Sequence, residues 1–161
     1  MIDHGSPLWN YLSDQERILA DDGAFLVADS AIHKDQDPTD YSYLVFPYAK
    51  LYEGFLKDVF RDLGIIVERD YRSNHFRIGK VLSPNLTRRL GKRSAYGQLG
   101  DRYGAELAEA LWHAWREGRN LVFHYFPSDF RLLAKEQALA CIQTLIQAME
   151  ICVARTHVQH R

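Results

Sequence analysis

Apolar side chains recur between residues 43 and 63 at the spacing of one face of an α-helix, and no other pattern in the chain limits the fold as strongly. The recurring positions, three and four residues apart, are Tyr48, Leu51, Tyr52, Phe55, Leu56, Val59, Phe60 and Leu63. Pro47 fits near the first turn, and Gly64 is a good C-terminal stop. A continuous apolar face of this kind must be covered by other helices, so the pattern predicts a helix inside a bundle.

The N-terminal part of the chain combines a short helix with a polar connection. Residues 8–21 are predicted to be helical, because Ser13 and Glu16 stand at the positions of a capping box and Gly23 is a typical end. Residues 29–42 are polar and rich in turn-forming residues, so a loop or linker is expected there. This part is therefore expected to be an extension ahead of the bundle.

Two more helices are predicted in the C-terminal half. Residues 101–117 carry an apolar stripe and end at Gly118, and residues 130–155 are apolar on much of their surface. Ser128 or Asp129 can cap the start of the last helix. Its wide apolar surface predicts burial on two sides, either in the centre of a bundle or partly in a dimer interface.

The segment between the first bundle helix, which ends at Leu63, and the helix over 101–117 contains the one predicted departure from an all-helical chain. Residues 65–82 have short β-prone runs around Arg72-Ser73-Asn74, which predict a small hairpin. The expected fold class is therefore mainly α, an antiparallel helical bundle with a small irregular or β-hairpin insertion. A chain of 161 residues is expected to form a single domain, 1–161, with an N-terminal extension over 1–42 and the bundle over 43–156.

Apolar patterning and cysteine usage indicate the environment of the protein. The chain has no apolar run of about 18 residues, and its first residues lack the basic and apolar stretches of a signal peptide. We therefore expect neither a membrane span nor secretion. Cys141 and Cys152 would lie about 16 Å apart on one helix, which is too far for a disulfide. A reducing cytoplasm is the expected location.

The segment Arg119-Asn120-Leu121-Val122-Phe123-His124 combines two side chains suited to RNA cleavage. An arginine can donate two hydrogen bonds to a phosphate, and a histidine can move protons near neutral pH. These two suffice for metal-free cleavage in which the ribose 2′-OH attacks its own phosphate. The spacing alone is weak evidence, because Arg155–His160 repeats it and Arg69–His75 comes close. Only the first copy lies between two strong helices, with apolar neighbours that would hold it against the core.

This segment resembles the R-x4-6-H signature of HEPN domains, including the polar residue often found after the Arg. A second segment, Lys50-Leu51-Tyr52-Glu53-Gly54-Phe55-Leu56, is similar to the part of the RNase LS toxin family that supplies a basic residue and a Glu. The resemblance extends over the helices from about residue 43 to residue 154. It implies three catalytic residues and two supporting ones: Glu53, Arg119 and His124, with Lys50 and Asn120.

The resemblance also implies an activity and a set of partners. It implies a metal-independent endoribonuclease that leaves a 2′,3′-cyclic phosphate, acting as a toxin in a toxin–antitoxin or phage-defence system. No cofactor and no metal are implied. The implied partners are RNA, a second copy of the chain in a homodimer with a shared cleft, and an antitoxin protein. Two alternatives stay open: a non-catalytic HEPN-like module that binds RNA or protein, and a helical interaction module in which the Arg and His are incidental.

Glu53 has two interpretations that do not depend on the resemblance. It lies at the edge of the apolar face of its helix, where a half-buried carboxylate could orient His124 or share its proton transfer. Alternatively, Glu53 forms a surface ion pair with Lys57, one turn later. The resemblance favours the catalytic interpretation.

The formal net charge of −1 hides an uneven distribution along the chain. Residues 1–60 contain four basic and eleven acidic side chains, whereas residues 61–102 contain ten basic and four acidic ones. This basic segment is either a solvated loop or an RNA-binding surface. Trp112 and Trp115 are expected in the core, whereas Tyr125 and Phe126 are better candidates for base stacking, with a place in the core as the alternative. The RNA-binding candidates are Arg72, Arg77, Arg88, Arg89, Lys92, Arg93 and Tyr125.

Overall fold

The fold is described from a computed structural model over residues 1–32, 38–124, 127 and 132–160. These residues form helices and turns, with no β-strand among them, so the prediction of a mainly α bundle is confirmed. The helices are α1 (Pro7–Tyr11), α2 (Asp14–Ile32), α3 (Ser42–Asp62), α4 (Glu68–Tyr71), α5 (Ile78–Val81), α6 (Thr87–Leu90), α7 (Ala95–Tyr103), α8 (Ala105–Trp115), α9 (Leu121–Phe123) and α10 (Lys135–Thr156). Two 3₁₀ turns, Pro84–Leu86 and Gly91–Arg93, and a π-helical turn, Arg116–Asn120, connect them.

Helix α3 is the centre of the bundle, because α2 and α10 both pack against it and α8 packs against α10. All predicted apolar positions from Tyr48 to Phe60 are buried, and Leu63 packs against them. Each large apolar side chain buried in this way contributes about 1.5–3 kcal/mol to folding. The hydroxyl of Tyr52 donates to the carbonyl oxygen of Leu111 at 2.8 Å, which ties α3 to α8 inside the core.

The helix predicted over residues 8–21 is divided at Leu12 and Ser13 into α1 and α2, and α2 continues past Gly23, which does not end it. A Cβ atom at residue 23 would lie only 2.5 Å from Cε2 of Tyr48, so the glycine allows α2 to lie close against α3. The predicted cap at the other end is present. The backbone N–H and the hydroxyl of Ser13 donate to Glu16 Oε2 at 2.9 and 2.8 Å.

The polar connection before α3 is shorter than the loop expected over 29–42, and residues 33–37 lie outside the described part of the chain. Asp40 organises its end: its Oδ1 accepts from Ser42 N, Ser42 Oγ and Leu133 N at 2.7–3.0 Å. Partial burial raises the pKa of Asp40, but these hydrogen bonds lower it by more, so it lies below its ordinary value. One carboxylate thus joins the start of α3 to the segment before α10.

The β-hairpin predicted over residues 65–82 is wrong. The segment instead forms the short helices α4 and α5, joined by a turn. Its β-prone residues Ile65, Ile66 and Ile78 are buried against the bundle. The apolar runs therefore serve to pack an irregular segment onto the core, a use that local β-propensity does not distinguish from strand pairing.

The helix predicted over residues 101–117 is divided in two and continues past its expected end. Gly104 has φ +96°, which breaks the helix between α7 and α8. Gly118 does not cap α8 but lies inside the π-helical turn that leads into α9. A Cβ atom at residue 118 would lie 2.7 Å from Cγ of Leu145, so this glycine lets the turn approach α10 closely.

Helix α10 is long and apolar enough to cross a membrane by length and composition alone. In the structure it is partly a core helix, as its wide apolar surface predicted, and the buried residues include Ile142, Leu145, Ile146, Met149 and Cys152. Leu139 and Ile151 remain exposed. The predicted caps Ser128 and Asp129 lie outside the described residues, and Cys141 and Cys152 are both free thiols, as expected.

Candidate functional site

One face of α3 carries Phe46, Lys50 and Glu53, each about one helical turn from the next. At one end of this stretch, Glu53 Oε2 accepts a hydrogen bond from Nη2 of Arg119 at 3.1 Å. At the other end, the rings of Phe46 and Phe123 meet edge to face, with centroids 5.9 Å apart. Seven residues of helix span about 10 Å. The predicted motif segment therefore lies along α3, with Lys50 between its two contacts.

The ion pair between Glu53 and Arg119 brings together two of the three predicted catalytic residues. Each side chain is about one third exposed, at 33% and 31%. The alternative pair of Glu53 with Lys57 does not occur in the described structure. A guanidinium has five N–H donors, and the described residues engage one of those of Arg119. Arg119 is therefore held in place but still accessible to a ligand.

The ring of Trp115 packs against the guanidinium group of Arg119. The guanidinium carbon of Arg119 lies 5.0 Å from the centroid of the Trp115 ring, within the range of a cation–π interaction. The ring is almost fully buried, which confirms its predicted core position, and Trp112 is half-buried against the same core. Sequence reasoning missed this contact, although a Trp four residues before an Arg on a helix is a readable signal.

The π-helical turn determines where the motif residues lie. Arg119 and Asn120 belong to this turn, and His124 follows α9 directly with an extended backbone (φ −101°, ψ 129°). A π-helical turn widens the backbone and is frequent at functional sites. Asn120 is half-buried and His124 is exposed. Because His124 is adjacent to Phe123, it lies at the Phe46 end of the stretch on α3.

A cavity of about 1000 Å³ opens beside this site, between the start of α2 and α3. Lys50 and Glu53 line it, together with the buried acids Glu16 and Asp58. Burial raises the pKa of Glu16, although hydrogen bonds from Ser13 oppose the shift. The Glu53 carboxylate is thus shared between the contact with Arg119 and the wall of a large polar cavity.

The second R-x4-H copy has a structural environment that the sequence did not predict. This copy does not lie between two predicted helices, yet its His160 ring stacks on Tyr11 with centroids 4.3 Å apart. Nδ1 of His160 lies 3.1 Å from Oδ2 of Asp62, and Nε2 contacts the carbonyl oxygen of Tyr11. The Tyr11 hydroxyl also donates to Asp62 at 2.9 Å. Arg155 pairs with Glu106 on the surface.

The predicted RNA-binding residues divide into two groups in space. Arg77, Lys92 and Arg93 line a second cavity next to α4 and α5. The other cations do not line it: Arg72 pairs with Glu68, and Arg88 and Arg89 are exposed on α6. Tyr125 and Phe126 lie outside the described residues. The sequence-based set is therefore only partly one surface.

Within the described residues, no group of three or more His, Cys, Asp and Glu side chains is arranged to hold a metal ion. Comparison of the chain with protein-family models, with curated proteins and with solved structures found no match. The case for a function therefore depends on the arrangement of the site residues themselves.

Proposed function

We propose that this protein is a metal-independent endoribonuclease of the HEPN class, acting as a toxin of a toxin–antitoxin or phage-defence system. One observation carries the proposal. Arg119 is held by Glu53 and Trp115 at an accessible position, on the same short segment as the exposed His124. An anchored guanidinium and a histidine are the pair of groups that metal-free RNA cleavage requires, and here one short segment carries both.

The reaction assigns a role to each group. His124 takes the proton of the ribose 2′-OH, whose oxygen attacks the adjacent phosphorus. Arg119 donates hydrogen bonds to the phosphoryl oxygens, where negative charge accumulates in the transition state. The 5′-oxygen leaves with a proton from an imidazolium, which restores the histidine. The products are a 2′,3′-cyclic phosphate and a 5′-hydroxyl.

Glu53 and Lys50 have supporting roles in this proposal. The Glu53 carboxylate accepts from Nη2 of Arg119, so it orients the guanidinium and leaves the remaining donors for the phosphate. Lys50 is exposed on the same face of α3, between Phe46 and Glu53, where its ammonium adds positive charge next to the substrate. Asn120 is half-buried at the end of the π-helical turn, next to Arg119, and is assigned a supporting role.

The proposal includes a homodimer and an antitoxin. The exposed apolar side chains on α10, Leu139 and Ile151, are compatible with a contact to a second copy. A two-fold dimer would bring two motif segments to one cleft, so that one His124 acts as base and the other as acid. An antitoxin protein would neutralise the activity by covering that cleft.

The test is incubation of the purified protein with bulk RNA in EDTA. We expect cleavage to persist and the new 3′ ends to carry a cyclic phosphate. The double variant Arg119→Ala/His124→Ala should be inactive while keeping its helical circular dichroism spectrum. Equal cleavage by the wild type and this variant would show that a contaminating nuclease is responsible. RNA binding without cleavage by the wild type would favour the non-catalytic alternative.

A further inference from the structure

A second cavity, of about 490 Å³, lies on the basic segment next to α4 and α5. Its floor is apolar, formed by Ile65, Ile66, Phe76, Val81 and Leu90. Its rim is basic, formed by Arg69, Arg77, Lys80, Lys92 and Arg93. We call this cavity the basic groove.

The charge of the basic groove is almost uncompensated. Asp70 is the acidic residue in its lining, and Oδ1 of Asp70 lies 3.8 Å from Nε of Arg69. The four other rim cations form no ion pair within the described residues; Arg77 donates instead to the backbone oxygens of Asn74 and Phe76. Like charges around one small volume repel each other in the free protein. A polyanion would relieve this repulsion and release counterions on binding.

The apolar floor distinguishes between kinds of polyanion. A duplex presents phosphates and sugars outward and keeps its bases stacked inside, so its base faces cannot pack on an apolar floor. A single strand exposes the faces of its bases as well as its phosphates. Base faces can pack on Phe76 or on the planes of the guanidinium groups, while phosphates contact the rim. The combination of floor and rim therefore favours single-stranded RNA.

The basic groove connects physically with the candidate catalytic site. A Cβ atom at Gly79, in α5, would lie 2.6 Å from Nε1 of Trp115, so α5 is packed against the edge of that ring. The face of the same ring carries Arg119. A single tryptophan thus separates the wall of the basic groove from the guanidinium that would bind the scissile phosphate.

We propose that the basic groove binds a single-stranded stretch of the RNA substrate and leads it to Arg119. This inference rests on the proposed function for the identity of the substrate. It adds Arg69 and Lys80 to the residues predicted from the sequence, and it removes Arg72, Arg88 and Arg89 from them.

The test uses two double variants that remove equal charge from the same segment. Lys80→Gln/Arg93→Gln changes two rim cations whose side chains form no hydrogen bond in the described structure. The control, Arg88→Gln/Arg89→Gln, changes two exposed cations on α6 outside the basic groove. Both are made in a His124→Ala background, and binding of a labelled 12-nucleotide single strand is measured by fluorescence anisotropy at several salt concentrations. Helical content and the thermal midpoint are recorded for each variant.

We expect the groove variant to bind about tenfold more weakly than its parent and the control to change by less than about threefold. The slope of log K against log salt should fall by about 1.4 for the groove variant, since each neutralised phosphate of a single strand contributes about 0.7. A duplex of the same sequence should bind more weakly than the single strand. If the groove variant does not fold, Lys92→Gln alone is compared with Arg88→Gln.

Three results would overturn the inference. The first is an equal loss of affinity in the groove variant and the control. The second is a duplex that binds as tightly as the single strand. The third is a poly-aspartate peptide that displaces the RNA at equal charge concentration, which would assign the basic groove to an acidic protein instead. If the wild type cleaves no RNA but the groove variant still loses binding, the basic groove stands and the proposed enzymatic function fails.

Discussion

Two segments of this protein have the same sequence spacing and different structural uses. Arg119–His124 runs along one face of α3, with Arg119 held by Glu53 and Trp115 and with His124 exposed. Arg155–His160 begins at a surface ion pair with Glu106 and ends with His160, whose ring stacks on Tyr11 and contacts Asp62 while 40% of the side chain stays exposed. The difference shows that the spacing of an Arg and a His carries no chemistry by itself.

The largest expected difference between the two segments concerns the histidines. If the proposed function holds, His124→Ala should lower the rate of RNA cleavage by about 10²–10⁴-fold, because in the proposed reaction His124 moves the protons. His160→Ala should change the rate by less than about twofold at a temperature where it remains folded. Single-turnover cleavage of a labelled RNA measures both. If His160→Ala lost a comparable share of activity while fully folded, the two histidines would not differ in function as proposed.

The second-largest difference in cleavage rate is expected between substitutions of Arg119 and Arg155. Arg119→Lys keeps the positive charge but loses the planar fork that pairs with Glu53 and lies over Trp115. We expect cleavage about 10–100-fold slower, mainly through kcat, since the charge that attracts RNA is retained. Arg155→Lys should cleave like the wild type. An unchanged rate in Arg119→Lys would mean that any cation at this position suffices and that the anchoring is not functional.

The segment Arg155–His160 should instead contribute to the free energy of unfolding, mainly through His160. His160→Ala removes a ring stack on Tyr11 and a hydrogen bond to the buried Asp62 carboxylate, so it should lower the free energy of unfolding by about 1–2 kcal/mol. His124→Ala should lower it by less than about 0.5 kcal/mol, the usual range for substitution of an exposed residue. Urea denaturation monitored by circular dichroism gives both values. The reverse order would contradict a stabilising role for the contacts of His160 with Tyr11 and Asp62.

The pH dependence of stability should follow Asp62. Burial raises the pKa of Asp62, but the hydrogen bonds from Arg61 and Tyr11 lower it by more, so its pKa in the folded state lies below the unfolded value. Its contribution is therefore complete above the unfolded pKa of about 4 and is lost as the pH falls through the folded pKa. Between about pH 5 and pH 3, the free energy of unfolding should fall more steeply for the wild type than for Asp62→Asn. Parallel pH profiles would exclude this role.

The smallest effect is expected for Arg155. Its ion pair with Glu106 joins two exposed side chains, and such pairs contribute little. Arg155→Ala should lower the free energy of unfolding by less than about 0.5 kcal/mol and leave cleavage unchanged. A loss of more than 1 kcal/mol would show that Arg155 contributes more than an exposed ion pair does.

The prediction from sequence was best where one helix packs along its whole length. The apolar face of α3 was predicted nearly to the residue, because its burial requires a helical repeat that no other local structure provides. Helix ends marked by glycine were less reliable. Gly64 ends α3 with a positive φ, whereas Gly23 and Gly118 are inside helical segments and allow close contact with Tyr48 and Leu145. Glycine marks both situations, and only the neighbouring element distinguishes them.

The sequence by itself determined the helical class of the fold, the central helix and the short list of candidate residues, because periodicity and chemical type are local properties. The tertiary structure decided which of those residues meet. It placed Glu53 on Arg119, put Trp115 beneath the guanidinium and gathered only some of the basic side chains around one groove. These contacts join residues up to 66 positions apart. They depend on how helices pack, which no spacing within one segment records.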